Sequence, residues 1–111
     1  MYHAPRSRDC QKALKRLEQA GIEPQVVDYL SNVPTERELE MLVMKLGIKP
    51  EALLRKNEAL YRSKYKGLRL NDHEWIKVMQ ENPVLIDRPI IVRDHKAVIG
   101  RPPENIDELL G

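Results

Sequence analysis

The first ten residues hold the side chains best suited to chemistry, namely His3, Ser7 and the only cysteine of the chain, Cys10. Ser7 is a favourable N-cap, and the apolar spacing after it predicts a helix. Cys10 would then lie in the first helical turn, where unpaired N–H groups and the helix dipole favour a thiolate. Two interpretations of Cys10 follow: a redox-active thiol, or a small half-buried residue of the helix.

Composition restricts the classes of protein. With 111 residues the chain has the size of a single domain, and a net charge of +2 gives no argument for nucleic acid or a membrane as partner. One cysteine excludes an internal disulfide and a cysteine-based zinc site. No group of Cys, His, Asp and Glu residues has metal-ligand spacing. No apolar run approaches the roughly 20 residues that span a bilayer, and no signal peptide is evident. We therefore expect a cytoplasmic, metal-free protein.

The beginning and end of the chain carry strand patterns around a helix. Residues 1–3 and 24–30 are predicted strands, and the helix between them, from Ser7 to Gly21, makes these strands parallel. Short β-branched runs follow at 84–86 and 90–92. A tight turn at 93–96 leads into residues 97–99 as an antiparallel hairpin, and a last helix begins at Pro103 or Glu104.

The middle of the chain reads as helical. Thr35 with Glu38 and Asn71 with Glu74 form two capping boxes, each before an amphipathic run. Pro50 starts a short segment, and residues 57–65 are predicted as a further helix. The order βαβ, helices, ββα predicts an α/β fold of the thioredoxin-like type. We expect one domain over 1–111, with a mixed four-stranded sheet, flanking helices and a helical insertion at about 31–82.

Four stretches, spread over nearly the whole chain, carry a resemblance to a known family: Tyr2–Pro5, Leu53–Lys56, Leu85–Val92 and Ile99–Glu104. In this order and at these spacings they resemble the glutaredoxin-dependent arsenate reductases, a branch of the thioredoxin-like fold. The resemblance implies a small oxyanion such as arsenate as substrate. It also implies no bound cofactor, and glutathione with glutaredoxin, or another thiol protein, as reductant.

The resemblance assigns the oxyanion to Arg55, Arg88 and Arg101. Their chemistry fits, because guanidinium groups stay charged and present paired donors to tetrahedral oxyanions. The alternative is three solvated or salt-bridged surface arginines. The family fold also implies a cis peptide bond before Pro89. The basic segment from Arg55 to Arg69 is interpreted as a solvated face rather than a nucleic-acid surface.

The family's catalytic cysteine has no counterpart at its own position, which is occupied by Ser7. Cys10 stands three residues later, where many relatives have serine. His3, which in the family helps to acidify the thiol, is retained. A serine hydroxyl is a weak nucleophile without a strong base beside it. The N-cap is therefore the main interpretation of Ser7, although the resemblance groups it with Cys10 and His3 as candidate catalytic residues.

These observations leave three hypotheses. The first is an arsenate-reductase-like thiol oxidoreductase with altered or weak activity, in which Cys10 forms a mixed disulfide with glutathione or glutaredoxin. The second is a catalytically inactive relative that serves as an oxyanion-binding or protein-interaction module. The third is that Ser7 replaces a native cysteine by design, in which case Ser7 marks the position of the nucleophile.

Overall fold

The structure is a computed structural model that describes residues 1–110. Gly111, the last residue of the predicted domain, lies outside the described residues. The chain forms two compact units. One consists of Met1–Asn32 together with the residues from Arg88 onward, and the other is Val33–Asp87. The second unit covers most of the predicted insertion, and the assignment of the whole chain to one domain stays a prediction.

The first unit contains a four-stranded sheet made of β1 (Tyr2–His3), β2 (Val27–Asp28), β3 (Ile90–Arg93) and β4 (Lys96–Ile99). Their order is β2-β1-β3-β4, with β1 parallel to β2 and antiparallel to β3. The predicted mixed sheet and the β3–β4 hairpin are therefore confirmed. The predicted strand at 24–30 is limited to Val27–Asp28. It ends there because the Asp28 carboxylate accepts the Leu30 N–H at 3.1 Å and turns the chain.

Two helices pack against this sheet, α1 (Arg8–Gln19) and α4 (Asp107–Leu110), and a 3₁₀ turn at Pro103–Ile106 precedes α4. Their apolar faces and the inner face of β3 and β4 form one buried cluster, whose members are Met1, Cys10, Ala13, Leu17, Ile91, Val98, Ile106 and Leu109. On the surface, Arg16 of α1 pairs with Asp107 of α4 at 2.6 Å. The first turn of α1, which contains Cys10, is therefore part of the core.

The second unit is helical, with α2 (Glu36–Leu46), α3 (Asp72–Glu81) and two 3₁₀ turns at Pro50–Leu53 and Pro83–Leu85. Both predicted capping boxes are present, at Thr35 and at Asn71. The helix α3 packs against α2 and both turns. Its buried residues include Trp75, whose ring lies 6.3 Å from that of Tyr65. The capping boxes thus begin helices whose apolar faces close this core.

Two predicted elements of the second unit differ from the structure. The expected helix at 57–65 is helical over residues 59–65, of which Tyr61–Tyr65 are π-helical instead of α-helical. The expected strand at 84–86 is a 3₁₀ turn followed by a single bridge between Leu54 and Ile86. Pro83 stands at the first position of that turn, which its restricted φ favours. Strand pairing is thereby reduced to that one bridge.

Within residues 1–110, no helix combines the length and apolar character that crossing a membrane requires.

Candidate functional site

The N-terminus of α1 is organised by Ser7. Its backbone N–H donates to the Ala4 carbonyl at 3.0 Å, and its Oγ accepts the N–H of Cys10 at 3.4 Å. Ser7 has extended backbone angles and is 9% exposed. The side chain predicted as an N-cap is therefore the N-cap of α1.

Cys10 is completely buried, with an exposed fraction of 0%. Its Sγ accepts the backbone N–H of Ala4 at 3.3 Å. The thiol belongs to the same apolar cluster as Ala13 and Ile106. A free cysteine in such surroundings behaves as a small hydrophobic residue. The structure thus gives Cys10 a packing role, fully rather than half buried, and its catalytic assignment stays a prediction.

His3 lies on β1, where its backbone is in register with Asp28 of β2. Its Nδ1 is buried and has no hydrogen-bond partner in the described part of the chain. Burial lowers the pKa of His3, the Asp28 carboxylate raises it, and the ammonium group of Met1 lowers it further. Because burial is the largest of these effects, His3 is neutral at pH 7 and is able to accept a proton but not to supply a positive charge.

Arg88 lies two residues before β3, and Arg101 lies two residues after β4. The Gly100 N–H donates to the Pro89 carbonyl at 2.9 Å, next to the last pair of the ladder, Ile90 with Ile99. Arg88 and Arg101 are the chain neighbours of the two residues that share this hydrogen bond, so they lie on neighbouring backbone segments.

The close contact between the segment after β4 and the segment before β3 requires glycine at position 100. A Cβ on Gly100 would lie 2.7 Å from Cδ1 of Ile91, 3.2 Å from Cγ of Pro89 and 3.6 Å from Cβ of Ala13 in α1. The end of β4 is therefore in close contact with both β3 and α1. Arg101, the next residue, is brought to the N-terminal half of that helix.

Arg101 contacts the helix directly. Its guanidinium Nη1 lies 4.0 Å from Oδ2 of Asp9, the second residue of α1, and both side chains are partly exposed. The Arg101 carbonyl accepts the side-chain amide of Asn105 at 3.3 Å. The first unit thus joins Arg101 to the turn that contains Ser7 and Cys10.

Both arginines precede a cis peptide bond, Arg88–Pro89 and Arg101–Pro102. The resemblance implied the first of these bonds. The second was not predicted, since the sequence pattern gave no reason to single out Pro102 from the other prolines of the chain.

Arg55 belongs to the second unit. Its N–H donates to the Leu85 carbonyl at 2.7 Å, beside the Leu54–Ile86 bridge, and its guanidinium forms an ion pair with Glu58. The side chain is 19% exposed. Arg55 is therefore held at an element end, as predicted, and its assignment to an oxyanion stays a prediction.

Sequence reasoning missed two residues of this region, Asp9 and Gly100. An acidic residue in a first helical turn is common because it is stabilised by the helix dipole, so Asp9 gave no special signal. Gly100 was interpreted only as the residue that ends a strand. Over residues 1–110 there is no group of three or more His, Cys, Asp or Glu side chains that would hold a metal ion.

Comparison with known proteins identifies the family. The model of the ArsC family matches residues 2–109. The chain belongs to the ArsC family. It is 37% identical over 112 residues to an arsenate reductase of Haemophilus influenzae, covering 99% of this chain and 97% of that protein. An arsenate reductase of Escherichia coli is 35% identical over 113 residues, covering 99% of this chain and 79% of the relative.

Solved structures of ArsC-family proteins share the fold. The structure of an arsenate reductase from Vibrio cholerae superposes with a TM-score of 0.92 and is 39% identical, covering 96% of this chain and 92% of the other. The thioredoxin-like α/β fold predicted from the sequence is confirmed by this similarity and by the observed sheet.

The burial of Cys10 predicts a slowly reacting thiol. A disulfide reagent such as Ellman's reagent reaches the sulfur only when the first turn of α1 opens. We expect the folded protein to react at least about 100-fold more slowly than the urea-unfolded chain at the same pH. The reaction is followed by absorbance as the reagent's thiolate is released.

A matched control carries an exposed thiol in place of the buried one. The double variant Cys10→Ala, Ser63→Cys has its thiol at an exposed position of the second unit. It should react rapidly when folded. Equally rapid reaction of the wild-type protein would contradict the packing role and support an accessible redox thiol.

The depressed pKa of His3 predicts a loss of stability in mild acid. Below the unfolded value of 6.5 the unfolded chain binds a proton more readily than the folded chain. The contribution of His3 is therefore fully present above pH 6.5 and is lost as the pH falls from there through the lower folded-state pKa. Urea unfolding between pH 5 and 7.5 measures this slope, and His3→Asn should reduce it.

Burial also lowers the pKa of the Met1 ammonium group, which adds its own pH dependence to the stability. The contribution of His3 is therefore read from the difference in slope between wild type and variant. His95→Asn, at an exposed turn position, is the matched control and should leave the slope unchanged. Identical slopes for wild type and His3→Asn would show that His3 titrates alike in the folded and unfolded chains.

Proposed function

We propose that this ArsC-family protein binds a tetrahedral oxyanion of the arsenate and phosphate type through Arg88 and Arg101 beside the N-terminus of α1. The observation that carries the proposal is the Pro89–Gly100 hydrogen bond at 2.9 Å, because it sets these two arginine positions on neighbouring backbone. Guanidinium groups stay charged and donate paired hydrogen bonds to tetrahedral oxyanions, so two arginines on neighbouring backbone segments suit such a ligand.

The start of α1 supports the same proposal. The first N–H groups of a helix lack intrahelical partners and carry the positive end of the helix dipole, which attracts anions. The ion pair between Arg101 and Asp9 brings one of the two arginines to this helix end. The Ser7 hydroxyl already accepts the Cys10 N–H, so the first turn is held in place before an anion arrives.

Reduction of the bound anion is a second candidate function, favoured by the 37% identity to a protein named arsenate reductase. In this reaction, arsenate gains two electrons and releases one water to become arsenite. Two thiols supply the electrons, Cys10 and glutathione, and end as a mixed disulfide that glutaredoxin reduces. This candidate places the protein in the reducing cytoplasm. It also requires the buried Cys10 to become accessible.

Removing either arginine should weaken oxyanion binding. Each guanidinium supplies charge-assisted hydrogen bonds, so we expect Arg88→Ala and Arg101→Ala each to raise the dissociation constant for arsenate about tenfold. Arg55→Ala should do the same if the assignment from the resemblance holds. Isothermal titration calorimetry with sodium arsenate and sodium phosphate gives the constants.

Arg37→Ala controls for the loss of one positive charge, since Arg37 is exposed on α2. It should leave the affinity unchanged. If the Arg37, Arg88 and Arg101 variants bind the anion equally weakly, the loss of affinity is explained by net charge alone. That result would contradict the proposed site.

A thiol at position 7 should establish or increase arsenate reduction. The resemblance places Ser7 at the position of the family's catalytic cysteine, and a thiolate at a helix N-terminus is a far better nucleophile than a hydroxyl. We expect Ser7→Cys to produce arsenite at least about tenfold faster than wild type, with glutathione and glutaredoxin present. Arsenite formation is measured directly.

Ser63→Cys supplies the matched control, a new thiol at an exposed position of the second unit. Its arsenite production should equal that of wild type. If Ser7→Cys is no faster than Ser63→Cys, position 7 does not face the bound anion. Turnover by wild type that disappears in Cys10→Ala would instead favour the second candidate function.

A further inference from the structure

We propose that Asp9 makes the oxyanion site selective for anions that carry a proton, such as hydrogen arsenate and hydrogen phosphate, over fully ionised sulfate. This inference rests on the proposed function, because it concerns the anion held by Arg101.

The position of Asp9 places a carboxylate within the field that attracts the anion. Asp9 is the second residue of α1, and its Oδ2 lies 4.0 Å from Nη1 of Arg101. Its side chain is 38% exposed and that of Arg101 is 41% exposed, so both remain reachable from solvent. An anion that binds Arg101 at the start of α1 therefore binds beside a negative charge that is part of the protein.

The hydrogen-bonding chemistry of the Asp9 carboxylate determines which anions bind well beside it. An ionised carboxylate is an acceptor only, with no proton to donate. A sulfate ion has no proton either, so its oxygens meet Asp9 as repelling acceptors. Hydrogen arsenate and hydrogen phosphate keep an O–H group near neutral pH, and this group is able to donate a short charge-assisted hydrogen bond to the carboxylate.

The ion pair also fixes the charge beside Arg101. The Asp9 carboxylate lies 4.0 Å from the Arg101 guanidinium, so this arginine already has a negative neighbour at the start of α1. An incoming anion shares Arg101 with Asp9 rather than displacing it, because the helix start stabilises Asp9 where it is. The dianions of hydrogen phosphate, hydrogen arsenate and sulfate carry the same net charge, so the discrimination comes from the hydrogen bond that only the protonated anions donate to Asp9. We expect it to be about tenfold, the size of one charge-assisted hydrogen bond.

The test compares three anions with three forms of the protein. Sulfate, phosphate and arsenate are titrated at pH 7 and constant ionic strength into wild type, Asp9→Asn and Glu18→Gln, with dissociation constants from calorimetry. We expect wild type to prefer phosphate and arsenate over sulfate about tenfold. Asp9→Asn, which has the same shape and adds a donor, should bind sulfate about tenfold more tightly and lose most of that preference.

Glu18→Gln is the matched control because Glu18 is an exposed carboxylate in the last part of the same helix. It should keep the preference of wild type. A sulfate-to-arsenate ratio that is the same in wild type and Asp9→Asn would show that Asp9 and Arg101 form only a surface ion pair, and would overturn the inference while leaving the anion site intact. Failure of every anion to bind wild type would overturn the proposed function and the inference together.

Discussion

The candidate site depends on one close backbone approach. The N–H of Gly100 reaches the carbonyl of Pro89 because no side chain at position 100 separates β3, β4 and α1. This contact extends the hairpin beyond its strands and sets Arg88 and Arg101 on adjacent backbone segments. It also brings the end of β4 to the helix that starts at Ser7. A side chain at position 100 would collide with Ile91 and Pro89, so this arrangement of the two segments requires glycine there.

The same packing governs the thiol. The helix that carries Cys10 turns this side chain into the core of the first unit, where the Ala4 N–H is its hydrogen-bond donor. With an exposed fraction of 0%, the Cys10 sulfur has no access to a substrate in the folded chain. Anion binding therefore has stronger structural support than reduction.

The start of α1 carries a negative charge beside a positive one. The Asp9 carboxylate lies 4.0 Å from the Arg101 guanidinium. Membership of the ArsC family implies a tetrahedral oxyanion as the ligand class. The selectivity that we propose within that class depends on the carboxylate of Asp9 beside Arg101.

The sequence by itself determined the parts that depend on near neighbours. The capping boxes at Thr35 and Asn71, the Ser7 cap and the hairpin were predicted correctly, because each is encoded within a few residues or in a short periodic pattern. The mixed sheet was predicted from the order of the elements along the chain, since a βαβ unit makes its two strands parallel. Only the tertiary structure decided the full burial of Cys10 and the pairing of Asp9 with Arg101. Those features join residues about 90 positions apart, and no local pattern records which distant side chains a fold brings into contact.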